Sequence, residues 1–145
     1  MVDVGLKDIS HRIARACAQV KMTDKTIAIL LSKGSPKGDI FETAKIAGIM
    51  AAKSTASVIP LCHPLSLEKI GITFDINRSK SVVTVYSQVS CHGRTGVEME
   101  ALLAVAAAAL TIYDMMKWAD KKISITDIKL LYKSGGKSGV FEWKK

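Results

Sequence analysis

The chain is poor in the residues that most often announce a special architecture. Cys17, Cys62 and Cys91 are its three cysteines, an odd number with no C-x-x-C pair, which argues against a disulfide framework. Eight aromatic residues are too few for a platform that stacks on successive bases. Basic residues never run five or six together: Lys21, Lys25, Lys33, Lys37, Lys45, Lys53, Lys69, Lys117, Lys121 and Lys122 are scattered, so no nucleic-acid arm is written into the sequence. The most apolar stretch, Ala101–Met116, contains Thr111 and Asp114 and follows two glutamates, which makes it a poor membrane span. The opening Met-Val-Asp-Val-Gly-Leu-Lys-Asp lacks the basic-then-apolar pattern of a signal peptide, and the cytoplasm is the expected compartment.

Acidic residues are scarce as well. Thirteen of them stand against 21 Lys and Arg, leaving a net charge of +8. Such an excess attracts anions: nucleic acid, an acidic membrane or a polyphosphate metabolite. With neither basic runs nor many aromatics, a small anionic ligand is the first expectation and nucleic acid the second. A length of 145 residues fits one domain that buries about two-thirds of its unfolded surface. Its 48% hydrophobic and 23% charged content is that of a globular chain.

From His11 to Met22 the residues alternate. Ala14, Ala16, Ala18, Val20 and Met22 fall on one side and Arg15, Cys17, Gln19 and Lys21 on the other, the period of a strand with one packed face. Thr23 and Asp24 can cap a short helix ending near Leu31. After the loop Ser32-Lys-Gly-Ser-Pro-Lys-Gly38, Asp39 is placed as the N-cap of a second helix reaching about Ser57, with small residues on one face. Leu67–Asn77 and Ser81–Ser90 alternate around Asn77-Arg78-Ser79-Lys80 and predict a hairpin. Strong helix formers fill a third helix from about Thr95 to Lys117. Ile123–Tyr132 alternates again, with a slip near Asp127. Setting aside the short first helix leaves βαββαβ, which predicts an α+β, ferredoxin-like antiparallel sheet with its helices on one face. Contact between subunits is expected to cover the rest.

Several segments carry candidate chemistry. The sequence Lys133-Ser-Gly-Gly-Lys-Ser-Gly139 invites a phosphate-loop reading, but Leu131 stands where a Walker loop needs glycine, and too little chain follows for its helix. A glycine-rich turn bearing Lys133 and Lys137 can still donate to an anion, or be a plain turn. Cys62-His63 and Cys91-His92 lack the spacings of structural zinc, and adjacent residues of an extended chain point to opposite sides, so no metal site is assigned.

His63 is framed differently. Pro60 and Pro64 remove two backbone donors and restrict Ile59 and His63 to extended conformations. The segment is either a stiff wall presenting an imidazole to phosphate or a proton, or a helix-to-strand connector. Glu98 and Glu100 either complement the dipole of the helix they open or accept N–H bonds from a ligand's amide edge. Asp114 and Lys117 are neighbours at i, i+3: a surface ion pair, or in a pocket a carboxylate-tuned ammonium able to move protons. Glu100 and Asp114 lie 14 residues apart, roughly 21 Å along a straight helix. One nucleotide-sized ligand cannot comfortably be gripped at both ends by a single helix. Either one end alone belongs to the site, or a second subunit supplies the other.

Five ordered blocks resemble a known family across nearly the whole chain: K-G-D-I-F-E-T-A-K-I-A-G-I-M-A-A-K, I-P-L-C-H-P-L, G-R-T-G-V-E-M-E-A-L, A-A-L-T-I-Y-D-M-M-K and L-L-Y-K-S-G-G-K-S-G. The family is that of the cyclic pyranopterin monophosphate synthases, molybdenum cofactor biosynthesis protein C. The resemblance implies a ferredoxin-like fold assembled as a hexamer built from dimers, with active sites between subunits. It further implies conversion of 3′,8-cyclo-7,8-dihydro-GTP, supplied by a radical GTP cyclase, to cyclic pyranopterin monophosphate with release of pyrophosphate. Carried over to this chain, Asp114, Lys117 and Lys37 match catalytic positions. Leu61, Cys62, His63, Met99 and Glu100 match substrate-contacting ones. Glu98 is added as a second candidate for reading the ring, and Arg12, with Arg15 beside it, resembles basic residues of the early strand. The residues demand no cofactor and leave open whether Mg²⁺ accompanies the triphosphate. Two readings from other classes compete with the enzyme: a basic nucleic-acid-binding module, and a non-catalytic assembly protein of the same pathway.

Overall fold

The computed structural model describes residues 1–144. Five strands, β1 (Ser10–Lys21), β2 (Lys69–Asn77), β3 (Val82–Gly93), β4 (Ser124–Ser134) and β5 (Phe141–Glu142), form one antiparallel sheet in the order β2-β3-β1-β4-β5. Helices α1 (Asp24–Ser32), α2 (Ile40–Lys53), the single turn α3 (Thr55–Val58) and α4 (Glu98–Met116) complete the chain. Removing α1, α3 and the two-residue β5 leaves βαββαβ with the strand order 2-3-1-4, the ferredoxin-like arrangement expected from the alternation.

The alanines of β1 decide where the core lies. Ala14, Ala16, Ala18 and Val20 are fully buried and project to the side on which α4 crosses β1, β3 and β4. Their small side chains let the helix approach the sheet closely. Val83, Val85 and Val89 of β3 extend the same apolar layer, and α2 covers β2 beside α4. The two helices come closest at Gly48, where a Cβ would stand 2.9 Å from the carbonyl oxygen of Ala104 and 3.2 Å from Ile72 Cδ1. The alanine-rich middle of α4 is therefore a packing surface. By length and composition α4 could cross a membrane, yet half of its most apolar window is buried against the sheet.

Local chemistry fixes the ends of the elements. Thr23 Oγ1 accepts from Thr26 N at 3.2 Å, and Asp39 Oδ1 accepts from Glu42 N at 2.9 Å, so both anticipated N-caps are in place. The second helix stops earlier than expected, at Lys53. Ser54, at φ −103° and ψ 11°, breaks it from α3. Helix α4 begins at Glu98 rather than Thr95, because β3 and its turn run on through Gly93. The slip near Asp127 is a bulge: the β1–β4 register shifts between Cys17 and Gln19, and Asp127 has φ 55°.

Away from the helices the sheet is polar. Arg15 Nε donates to Gln88 Oε1 at 3.0 Å and its guanidinium lies 4.9 Å from the centre of the Tyr132 ring. Arg15 thus belongs to this face, on the opposite side of β1 from the buried alanines.

Candidate active site

Two clusters of polar side chains form at opposite ends of α4. At its C-terminal end, Asp114 accepts a hydrogen bond from each of two lysines. Lys117 Nζ lies 2.8 Å from Oδ1, as its i, i+3 spacing allows, and Lys37 Nζ lies 2.6 Å from Oδ2, delivered by the loop between α1 and α2. That loop is anchored by Ser35, whose hydroxyl donates to the Met115 carbonyl at 2.7 Å. The hydrogen bonds from Lys117 and then Lys37 bring the Asp114 carboxyl down to about 2. In return, Asp114 holds the Lys117 ammonium above its ordinary value. Pro36, Tyr113 and Trp118 add apolar walls to a cavity of about 360 Å³ containing all three charged groups. Two ammonium groups on one carboxylate, open to solvent on one side, can give and take protons at neighbouring points of a bound molecule.

At the other end of α4, the proline-framed segment packs beside the first helical turn. Leu61, Cys62, His63, Glu98, Met99 and Glu100 line one cavity of about 450 Å³. The connector is thus also a wall of a pocket. Glu100 is 4% exposed, and burial, reinforced by the charge of Glu98, pushes its carboxyl above the ordinary carboxylate range. Burial likewise raises the Cys62 thiol, with Glu100 adding to the effect. A buried carboxyl of this kind is suited to hydrogen-bonding an amide or amidine edge.

A third and larger cavity, about 650 Å³, adjoins this one and shares Lys7, Thr95, Gly96 and Glu98 with it. Its cations are Lys7, Arg12, Arg94, Lys133 and Lys137, against the carboxylates of Asp8 and Glu98. Arg12 is 8% exposed, and its Nε donates to the Gly93 carbonyl at 3.2 Å. The glycine-rich turn after β4 closes over it. A Cβ on Gly136 would fall 1.8 Å from Arg12 Nη1, and the residue has φ +74°, so only glycine lets the chain pass here. Lys133 pairs with Glu98 at 3.0 Å. The turn brings Lys133 and Lys137 into the lining of this cavity, and no helix of a Walker loop follows it among the described residues.

The structure thus gathers Leu61, Cys62, His63, Glu98, Met99 and Glu100 in one pocket, with Arg12 in the adjoining one. It gathers Lys37, Asp114 and Lys117 in another, a helix length away. Sequence reasoning did not single out Lys7, Thr95 or Tyr113. Lys7 precedes the first strand, Thr95 reads as the start of a helix, and Tyr113 reads as one more apolar residue of a helix face.

This chain matches the family model described as the MoaC family over residues 1–136. It is 49% identical over 142 residues to the cyclic pyranopterin monophosphate synthase of Herpetosiphon aurantiacus, covering 98% of this chain and 87% of that protein. It is 50% identical over 139 residues to the protein of that name from Syntrophomonas wolfei, covering 96% and 88%. The one from Desulfatibacillum aliphaticivorans is 50% identical over 141 residues, covering 97% and 89%. A match this long includes β1, the proline-framed wall, both ends of α4 and the turn over Arg12: the chain belongs to the MoaC family.

Proposed function

We propose that this chain is a cyclic pyranopterin monophosphate synthase of molybdenum cofactor biosynthesis, an enzyme of the lyase class that converts 3′,8-cyclo-7,8-dihydro-GTP to cyclic pyranopterin monophosphate and pyrophosphate. The membership just described supports the activity. The Lys37–Asp114–Lys117 cluster, with contacts of 2.6 and 2.8 Å, is the observation that carries the mechanism. The reaction needs proton donors for departing ring nitrogens and a base for the sugar hydroxyl that attacks the α-phosphate. As that O–P bond forms, the bond from the α-phosphorus to the bridging oxygen breaks and pyrophosphate leaves. Lys37 and Lys117 divide these proton transfers, and Asp114 orients Lys117.

The ring is read by Glu100 and Glu98 beside Leu61, Cys62 and Met99. His63 and Arg12 meet the phosphates, which extend into the basic cavity. Among the described residues no group of three or more His, Cys, Asp or Glu could hold a metal ion. Mg²⁺ accompanying the triphosphate would count as part of the substrate. A concave cluster of cations suits a small polyanion better than a nucleic-acid strand, which asks for an extended basic stripe.

Because α4 separates the two clusters by roughly 21 Å, the reacting site is completed where two subunits meet, in dimers assembled into a hexamer. Ile46 and Met50 of α2 and Leu110 of α4, all more than half exposed, offer apolar surface for such contacts. The enzyme works in the cytoplasm, downstream of the radical GTP cyclase that makes its substrate.

The decisive test mixes the purified protein with the cyclised GTP intermediate and measures pyrophosphate. The unaltered chain releases it. Lys37→Ala and Lys117→Ala lower turnover by about 10²-fold or more while leaving assembly intact. Binding without pyrophosphate release would instead mark a non-catalytic pathway protein, and salt-sensitive retention of DNA or RNA a nucleic-acid module.

A further inference from the structure

The residues before β1 are not a loose end. Lys7 N donates to the Val4 carbonyl at 3.1 Å, Gly5 N donates to Asp3 Oδ1 at 2.8 Å, and the Arg94 guanidinium holds the Gly5 carbonyl. The segment is thereby folded against the turn that precedes α4. Val2 and Val4 line the smaller cavity, while Asp8 and Ser10 line the larger one. Lys7 lines both.

That position is chemically distinctive. The smaller cavity holds the ring-reading residues and the larger one most of the cations, so a nucleoside polyphosphate lying across them passes the junction with its first phosphate. Among the cations of the larger cavity, Lys133 is ion-paired with Glu98, whereas Arg94 and Arg12 each give one N–H to a backbone carbonyl, of Gly5 and Gly93, and keep their charge for the outer part of the cavity. Lys7 has no ion-pair partner among the described residues. Glu98 also lines the junction, and a phosphate there needs a compensating cation besides the committed Lys133. The Ser10 hydroxyl, buried and without a hydrogen-bond partner among the described residues, belongs to a residue lining the same cavity. Lys137, in contrast, lines the larger cavity alone, on the turn beyond β4.

We infer that Lys7 binds the phosphate adjoining the nucleoside, the one retained in a cyclic monophosphate product, whereas Lys137 serves the outer phosphates that leave. This rests on the proposed function, since it takes the ligand to be a guanosine-derived triphosphate held across both cavities.

Two stable guanine nucleotides test it on the intact assembly. Affinities for GTP and GMP are measured by calorimetry, or by competition with a fluorescent GTP analogue. A lysine–phosphate contact carries about a tenfold effect. Lys7→Ala therefore weakens GTP and GMP by similar factors of about ten, and Lys7→Arg restores most of the loss. Lys137→Ala weakens GTP and leaves GMP within about twofold. Lys7 is exposed, so its replacement does not threaten folding. The inference is overturned if Lys7→Ala binds both nucleotides like the unaltered protein. Loss of GTP affinity alone would also overturn it, placing Lys7 among the outer phosphates, as would GMP binding too weak to measure beside firm GTP binding. Failure of the unaltered protein to bind GTP would be a different result: it removes the phosphate reading of the cavity, and this inference with it.

Discussion

Replacing Gly48 by alanine sets two physical effects against each other, and the sign of the outcome tells which one rules the helix pair. Gly48 lies inside α2 with ordinary helical geometry, and in an isolated helix alanine there would add about 0.5–1 kcal/mol of stability by restricting the unfolded chain. In the folded protein the new methyl would stand 2.9 Å from the Ala104 carbonyl oxygen, with the Ile72 side chain at 3.2 and 3.4 Å. Ile72 can turn aside, but a backbone carbonyl in the middle of α4 cannot. The two helices must separate by several tenths of an ångström along a contact built from small residues. Overpacking of this kind costs about 1–3 kcal/mol. The net expectation is a loss of about 1 kcal/mol, or roughly 2–4 °C in midpoint for a chain of this size. Urea and thermal unfolding at one fixed protein concentration measure it, since assembly would otherwise shift the midpoint. Gly48→Val should cost more, adding β-branching to the same collision. A Gly48→Ala protein as stable as the unaltered one, or more so, would refute the idea that close backbone approach fixes the α2–α4 contact.

Two further outcomes follow from the site. Asp114→Asn removes the group that holds the Lys117 ammonium above its ordinary value. The alkaline limb of the pH–rate profile should move to lower pH and turnover should fall by about 10²–10⁴-fold; an unmoved limb with near-normal turnover would deny Asp114 its orienting role. Glu100 keeps its proton longer in the folded chain than in the unfolded one, so its contribution to stability is lost as pH rises from the ordinary value of 4.5 to its raised folded value. Glu100→Gln, neutral at every pH, should match the parent in urea near pH 4 and exceed it at pH 8, while losing ring recognition. An equal gap at both pH values would contradict the burial penalty.

The sequence was most legible where one physical demand dominates. Alternating alanines in β1 have no use except to admit a helix, and they placed that strand and its buried face to within a residue. The skipped beat at Asp127 marked a true bulge, because an extra residue must break a period of two. Helix ends were less legible: nothing in Ser54 itself shows that α2 stops there, since the break is made by backbone angles that many residues adopt. The prolines marked a stiff segment without deciding between pocket wall and connector, and the spacing of Asp114 and Lys117 marked a pair without deciding between surface and pocket. The third member, Lys37, needed either the family resemblance or the fold, for it reaches Asp114 across 77 residues of chain. Lys7 carried no local sign at all. A lone lysine before the first strand becomes informative only when a turn sets it between two cavities.

Helix α4 also sets a limit on how this chain can change. Its nineteen residues run from Glu98, beside the buried Glu100, through Asp114 to Met116, with Lys117 as the next residue, and its inner stripe is locked onto the sheet. Each residue turns the helix by about 100° and advances it about 1.5 Å. Inserting or deleting one residue between Glu100 and Asp114 would swing one end group roughly a quarter-turn out of line while the other stayed put. The helix acts as a gauge bar: outward-facing side chains on it are free to drift, but the count of residues between its two working ends is not.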